Sequence, residues 1–151
     1  GHAHSFLGIN GDGLTSVVKT SGNPDRHVIL RGGGGRSNYS EGDIASVTEM
    51  IANEGIARPI MVDCSHGNSN KDYTRQTTIC RDVMQLREDL KYDVMGLLIE
   101  SNLNAGNQVW QEGTELQYGV SITDACIGWD ETRDLLYQVG EVVHANPVST
   151  V

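Results

Sequence analysis

The sequence predicts an α/β fold built on a parallel sheet, and three observations carry that prediction. Short apolar runs recur at His27–Leu30, Met61–Ser65 and Leu97–Ile99. Each ends on a side chain capable of chemistry, namely Arg31, His66 and Glu100, and these lie 35 and 34 residues apart. A strand, a loop, a helix and a return loop take about 30 residues or more, so the interval is that of successive βα units. Stretches between the runs carry apolar residues at helical spacing. The three reactive residues are therefore expected at the carboxyl ends of their strands, the edge where barrels and open α/β sheets place ligand and catalytic groups.

Residues 1–24 differ in character from the rest. Phe6–Ile9 and Leu14–Val18 are short strand-like runs around Asn10-Gly11-Asp12-Gly13, which predicts a β-hairpin. Ser21-Gly22-Asn23-Pro24 makes the next turn, the first buried strand follows, and Gly32–Gly35 then form a loop whose backbone can approach a ligand closely. Ser40 with Asp43 three residues later predicts a helix start, a capping box with Asp in place of Glu. Ile44, Val47 and Ile51 share the face of that helix, and Gly55 is its stop. Pro59 precedes the second strand. A second helix is expected over about residues 73–90, with Ile79, Val83, Leu86 and Leu90 as its apolar stripe. The third strand is expected over 94–99, followed by a long polar segment from Asn102 to Gly119 and then Val120–Asp124. Asp130 is the expected N-cap of a last helix that turns Leu135, Leu136, Val139, Val142 and Val143 to the core.

A chain of 151 residues with 38% hydrophobic content is enough for one domain with a real core, and no linker divides it. It is too short for a closed eight-unit barrel, which takes about 250 residues. The balance of 11 basic against 20 acidic residues, net −9, excludes nucleic acid and anionic membrane surfaces as partners. A phosphorylated metabolite stays open, because a few local cations and backbone N–H groups decide that. Cys64, Cys80 and Cys126 are odd in number and have no paired spacing, so reduced thiols in a cytoplasmic protein are expected. No apolar stretch approaches the roughly 20 residues of a membrane span. The chain opens on Gly1, which suggests that it begins inside a longer protein.

Neutral imidazole is the commonest metal-binding side chain, and His66 stands just past a buried strand. Glu100, from the next strand end, offers a carboxylate, and Asp124, 24 residues further on in a loop, offers a third ligand. A mixed His, Glu and Asp set suits Mn²⁺, Fe²⁺, Co²⁺ or Zn²⁺ better than Ca²⁺ or Mg²⁺. A strand-end His is more often a hydrogen-bonded structural residue, and loop carboxylates are usually solvated. The shared edge is what favours a site. Arg31, four glycines and Arg36 read equally as an anion site or as a flexible surface loop; GxxxxGK[ST] is absent. Cys64 and Cys126 read as small buried hydrophobes.

Leu30-Arg31-Gly32-Gly33, Asn38-Tyr39-Ser40, the run from Asp63 to Lys71, Ile99-Glu100-Ser101-Asn102-Leu103, Gly106-Asn107-Gln108 and the run from Ser121 to Trp129 together resemble one family. They are similar to the carboxyl-terminal portion of the type I 3-deoxy-D-arabino-heptulosonate 7-phosphate (DAHP) synthases, in the branch inhibited by aromatic amino acids. The likeness covers essentially the whole chain. It implies the carboxyl-terminal part of a TIM (β/α)8 barrel: about three βα units over residues 25–151, preceded by a hairpin insertion over 1–24, in one partial domain. It implies a transferase that condenses phosphoenolpyruvate with erythrose 4-phosphate, the first step of the shikimate pathway to aromatic amino acids. By resemblance, His66, Glu100 and Asp124 are ligands of a divalent metal, Arg31 contacts phosphoenolpyruvate, and Arg31 and His66 are the catalytic pair. Phe6, Gly8 and Val18 fall where the family lines its pocket for an aromatic amino acid effector, with Gly8 in place of the usual Ser.

Departures limit what this piece is expected to do alone. The family's fourth ligand, a Cys on the first barrel strand, and its other basic phosphoenolpyruvate contacts belong to strands this chain lacks. Its usual Lys after the first two glycines is replaced by Gly34-Gly35-Arg36, and Cys64 replaces what is often an aromatic residue. The isolated chain is expected to show no more than trace synthase activity. An alternative is a non-catalytic part-barrel binding or assembly module whose open sheet edges pair with another copy, and a homo-oligomer is expected. A relative using another phosphorylated aldose, such as arabinose 5-phosphate, is disfavoured by the long match from Ser121 to Trp129.

Overall fold

In the computed structural model, which describes residues 1–55, 59–90 and 94–145, two separate sheets are present. Strands β1 (His4–Ile9) and β2 (Thr15–Thr20) form an antiparallel hairpin in which Phe6 pairs Val18 and Gly8 pairs Ser16. Its turn is tied by the Asn10 side chain, which accepts from the backbone N–H groups of Asp12 and Leu14 at 3.0 and 2.9 Å. The second sheet is parallel and runs in sequence order, β3 (Ile29–Leu30), β4 (Ile60–Asp63) and β5 (Val94–Leu98). β3 is shorter than the apolar run His27–Leu30 that signals it, because its ladder with β4 spans only two pairs, Ile29 with Met61 and Leu30 with Val62.

Helix α1 (Glu41–Asn53) follows β3 and starts on the expected capping box: Ser40 accepts from the Asp43 N–H and Asp43 accepts from the Ser40 N–H. Ile44 and Ile51 are buried and Val47 packs beside them, each fully buried Ile contributing about 2 kcal/mol. The segment expected as one helix over 73–90 is divided. A four-residue turn of helix, α2 (His66–Ser69), and a 3₁₀ turn (Tyr73–Arg75) capped by Asp72 lead into α3 (Gln76–Leu90). Ile79 and Val83 are buried and Leu86 packs against them; the Leu90 side chain lies outside the described residues.

α4 (Trp129–Ala145) begins one residue before the expected cap, so Asp130 and Glu131 occupy its first turn, where carboxylates favour the positive end of the helix dipole. Only part of its apolar surface faces inward. Leu135 is buried and Val139 and Val142 pack on the core, whereas Leu136 and Val143 are 54% and 39% exposed. The steps 135, 139 and 142 keep one face of a 3.6-residue helix; 136 and 143 each lie one residue, about 100°, further round, beside β5.

The core is one cluster: Leu30, Ile60, Val62 and Val94 from the strands, Cys64 just past β4 and Ile127 just before α4, with residues of α1, α3 and α4. Cys64, Cys80 and Cys126 are all free thiols and all buried. Cys64 is held above its usual pKa, chiefly by a hydrogen bond with Cys80, and its role in the core is that of a small hydrophobe.

Candidate metal centre

Parallel pairing brings the ends of β3, β4 and β5 to one edge, and the residues just past those ends build the site. Arg31 follows β3 directly, His66 opens α2 three residues after β4, and Glu100 stands two residues after β5. Asp124 arrives from the loop before α4, which is stitched to the same edge by Ile127 N–H to Glu100 O (3.0 Å) and Asn102 N–H to Ile127 O (3.0 Å).

His66 has φ +47°, a left-handed conformation that costs a non-glycine residue of order 1 kcal/mol. Its surroundings hold it there: its carbonyl accepts from Lys71 N–H at 2.8 Å, and its Nδ1 lies 2.8 Å from Oδ2 of Asp63. Asp63 is itself buried, and its Oδ1 accepts from Ser65 N–H at 2.8 Å. A carboxylate at Nδ1 makes that nitrogen the proton-bearing one and leaves the Nε2 lone pair facing outward. Nε2 lies 3.5 Å from Oε1 of Glu100 and 3.8 Å from Oδ2 of Asp124.

One ligand atom from each of His66, Glu100 and Asp124 lies within 4.8 Å of the others. A nitrogen lone pair and two carboxylates turned toward one point repel each other unless a cation stands between them. Metal–ligand bonds of about 2.1 Å place neighbouring donors about 3.0–3.4 Å apart, so this spacing fits a divalent ion after small adjustment. The second Glu100 oxygen accepts from the Ser65 hydroxyl. Lys71 and Ala125 complete a small cavity with these groups.

Two residues without a metal-ligand pattern hold the edge together. Asn68, fully buried, donates from its Nδ2 to Leu30 O (3.0 Å) and Asp63 O (2.8 Å) and accepts from Asn38 N–H (2.8 Å). Gln76, also buried, pairs with both backbone groups of Glu100. Beneath Arg31 the β3 and β4 loops touch backbone to backbone: a Cβ on Gly32 (φ +69°) would stand 2.7 Å from Asn68 N, and one on Gly67 would stand 2.6 Å from Gly32 C. The glycine loop is tighter than a free anion cradle. Gly33 and Arg36 bond reciprocally at 2.9 and 3.0 Å around Gly34-Gly35, a hairpin turn with both central residues at positive φ. Gly32 N–H is taken by Asn38 at 2.7 Å. Those three N–H groups are spent inside the protein; the Arg31 guanidinium, 63% exposed and 3.9 Å from Asp63, stands at the edge, and Arg36 at the far end of the loop is exposed as well.

The hairpin residues stand apart from this edge. Phe6, Gly8 and Val18 share one face of the hairpin, and a Cβ on Gly8 would meet Val18 Cγ2 at 2.9 Å. The spacing of strand ends finds Arg31, His66 and Glu100, while Asp63, Asn68, Ser65 and Gln76 carry no periodic mark. The one available sign is Asp63 three residues before a strand-end His.

The model of the DAHP synthetase I family matches residues 1–137. The Tyr-sensitive phospho-2-dehydro-3-deoxyheptonate aldolase of Escherichia coli K12 is 47% identical over 137 residues, which cover 90% of this chain and 38% of that protein. The Phe-sensitive enzyme of the same organism is 43% identical over 145 residues, 96% of this chain and 41% of that one. A solved structure of phospho-2-dehydro-3-deoxyheptonate aldolase from Francisella tularensis SCHU S4 superposes with a TM-score of 0.86 at 37% identity, over 95% of this chain and 41% of that one. The chain thus spans about two fifths of the length of each of these proteins. With a match this long, and with motifs and fold in agreement, the chain belongs to the DAHP synthetase I family.

Proposed function

We propose that this chain is the metal-bearing late portion of a DAHP synthase barrel, acting in the condensation of phosphoenolpyruvate with erythrose 4-phosphate that opens aromatic amino acid biosynthesis. The observation that carries this reading is the convergence of His66, Glu100 and Asp124 within 4.8 Å at one sheet edge, in a chain of this family. The part-barrel architecture is supported by strand order. Three parallel strands in sequence order, with a helix between each pair, are the order that successive right-handed βα units of a barrel produce.

The donor set fits Mn²⁺, Fe²⁺, Co²⁺ or Zn²⁺. When bound, such an ion supplies Lewis-acid polarisation of an aldehyde oxygen. This chain's residues do the rest of their share by position. Asp63 keeps the proton at Nδ1 of His66, so that Nε2 is a lone-pair donor. Arg31 grips the phosphate or carboxylate of phosphoenolpyruvate, and its link to Asp63 ties that grip to the His66 loop. In the overall reaction C3 of phosphoenolpyruvate attacks the aldehyde carbon, water adds at C2 and phosphate leaves. Holding two anions at bonding distance is the main demand on the protein. Residues 1–24 then form the insertion whose Phe6, Gly8 and Val18 line a site for an aromatic amino acid, residues 25–151 the barrel units, and the assembly is a cytoplasmic homo-oligomer.

A chimera tests this. The matching segment of the E. coli Tyr-sensitive relative is replaced by residues 1–137 of this chain, and the seven-carbon product is assayed with added Mn²⁺. Turnover that vanishes on His66→Ala is expected. A folded chimera that binds Mn²⁺ yet forms no product overturns the proposal. The isolated 151-residue chain is expected to give at most trace turnover, and turnover within tenfold of an intact relative contradicts the part-barrel reading.

A further inference from the structure

We infer that Gln76 is a positioning residue for the metal-facing carboxylate of Glu100, and through the Glu100 carbonyl for the loop that carries Asp124. The inference rests on the metal reading above.

The hydrogen-bonded ladder of β5 ends at Leu98, whose carbonyl accepts from Cys64 N–H at 2.9 Å. Glu100 lies beyond that ladder and its backbone shares only in the isolated parallel bridge of Ser101 with Ile127, so something besides that bridge must hold it. Gln76 does so with both ends of its amide: Oε1 accepts from Glu100 N–H at 2.7 Å and Nε2 donates to Glu100 O at 3.1 Å. The side chain thereby makes the two backbone bonds that a ladder rung would make. Gln76 is fully buried and is the first residue of α3, so its own backbone is anchored by the helix and the core beneath it. A buried amide that pairs both of its ends is a rigid strut, since losing either bond strands a desolvated polar group.

The same Glu100 carbonyl also accepts from Ile127 N–H at 3.0 Å, three residues after Asp124. One acceptor thus joins α3, the Glu100 segment and the Asp124 loop. Two of the three ligands take their separation from His66 through this junction, and a shift of an ångström there changes whether the three donors can share an ion.

Gln76→Met keeps length and volume but removes both hydrogen bonds; Gln76→Glu keeps the acceptor for Glu100 N–H and loses the donor to Glu100 O. Thr77→Val is the matched control: it deletes the neighbouring bond from α3 to Glu131 of α4 without touching Glu100. Mn²⁺ affinity of the full chain is read by electron paramagnetic resonance of the free ion, and hydrogen exchange of the Glu100 amide by NMR on the metal-free chain. Expected are a tenfold or greater loss of Mn²⁺ affinity for Gln76→Met, a smaller loss for Gln76→Glu, and no more than twofold change for Thr77→Val. Exchange at Glu100 should quicken at least tenfold in Gln76→Met, while Met61 and Cys64, paired within the sheet, stay as they were. Should Gln76→Met fail to fold, the Gln76→Glu comparison carries the test. Parent-like Mn²⁺ affinity in a folded Gln76 variant, or unchanged Glu100 exchange in a folded Gln76→Met, overturns the inference. A parent chain that binds no Mn²⁺ while Glu100 exchange still depends on Gln76 overturns the metal reading and leaves the clamp standing.

Discussion

The hairpin and the parallel-sheet edge solve the problem of holding side chains in place in opposite ways. At the sheet edge, buried polar groups fix one another: Asp63, Asn68 and Gln76 are each satisfied, and among the described residues no buried side-chain polar atom lacks a partner. In the hairpin, apolar side chains are exposed on both faces, with Leu7 and Ile9 at 76% and Phe6 at 48%, and the bonds recorded for its strands run within the hairpin itself. An isolated two-stranded hairpin is marginal in water. The edge therefore carries its geometry within the chain, while the hairpin's geometry depends little on the rest of the chain.

Four substitutions test that contrast. His66→Ala removes the only nitrogen donor of the ligand set, and a loss of at least about 100-fold in Mn²⁺ affinity with unchanged circular dichroism is expected. Asn68→Leu strands two carbonyls and one N–H in the interior; a fall of about 3 kcal/mol in urea unfolding is expected, and a fall below 1 kcal/mol would mean that the edge is not held by this network. Asp63→Asn presents an amide donor to Nδ1 of His66 and turns the imidazole to the tautomer with its proton on Nε2. Titration with Mn²⁺ should then show about a 10–100-fold weaker site in a protein of near-parent stability. Leu7→Ser is the hairpin counterpart, and its effect on urea unfolding is expected to stay within about 0.5 kcal/mol. A larger loss would show that this face is packed in solution.

Much of the fold was legible because periodicity records it. The 35- and 34-residue intervals mark three strand ends, Ser40 with Asp43 marks a helix start, and the Asn-Gly-Asp-Gly turn marks the hairpin. Leu136 and Val143 were misplaced for the same reason that Leu135 was found. An apolar stripe on α4 is wider than the core it meets, and hydrophobicity alone does not tell a buried face from one turned to an open edge. The supports of the site were illegible in a different way. Gln76 acts on Glu100 across 24 residues and Asn68 on Leu30 across 38, distances at which a sequence pattern holds no trace of a hydrogen bond. Asp124 was found through residue type and family likeness, since its loop follows no repeat.

The contact between Gly32 and Gly67 gives the edge a fixed gauge. Two bare peptide planes lie against each other there, so the offset between the Arg31 loop and the His66 loop equals the thickness of backbone and nothing more. Neither loop has slack to take up, and neither can advance without pushing the other. The backbones that carry Arg31 and His66 are thereby set at an offset that side-chain motion does not tune. The two glycines behave as a single position: a methyl group added to either acts as a shim that widens the spacing for both.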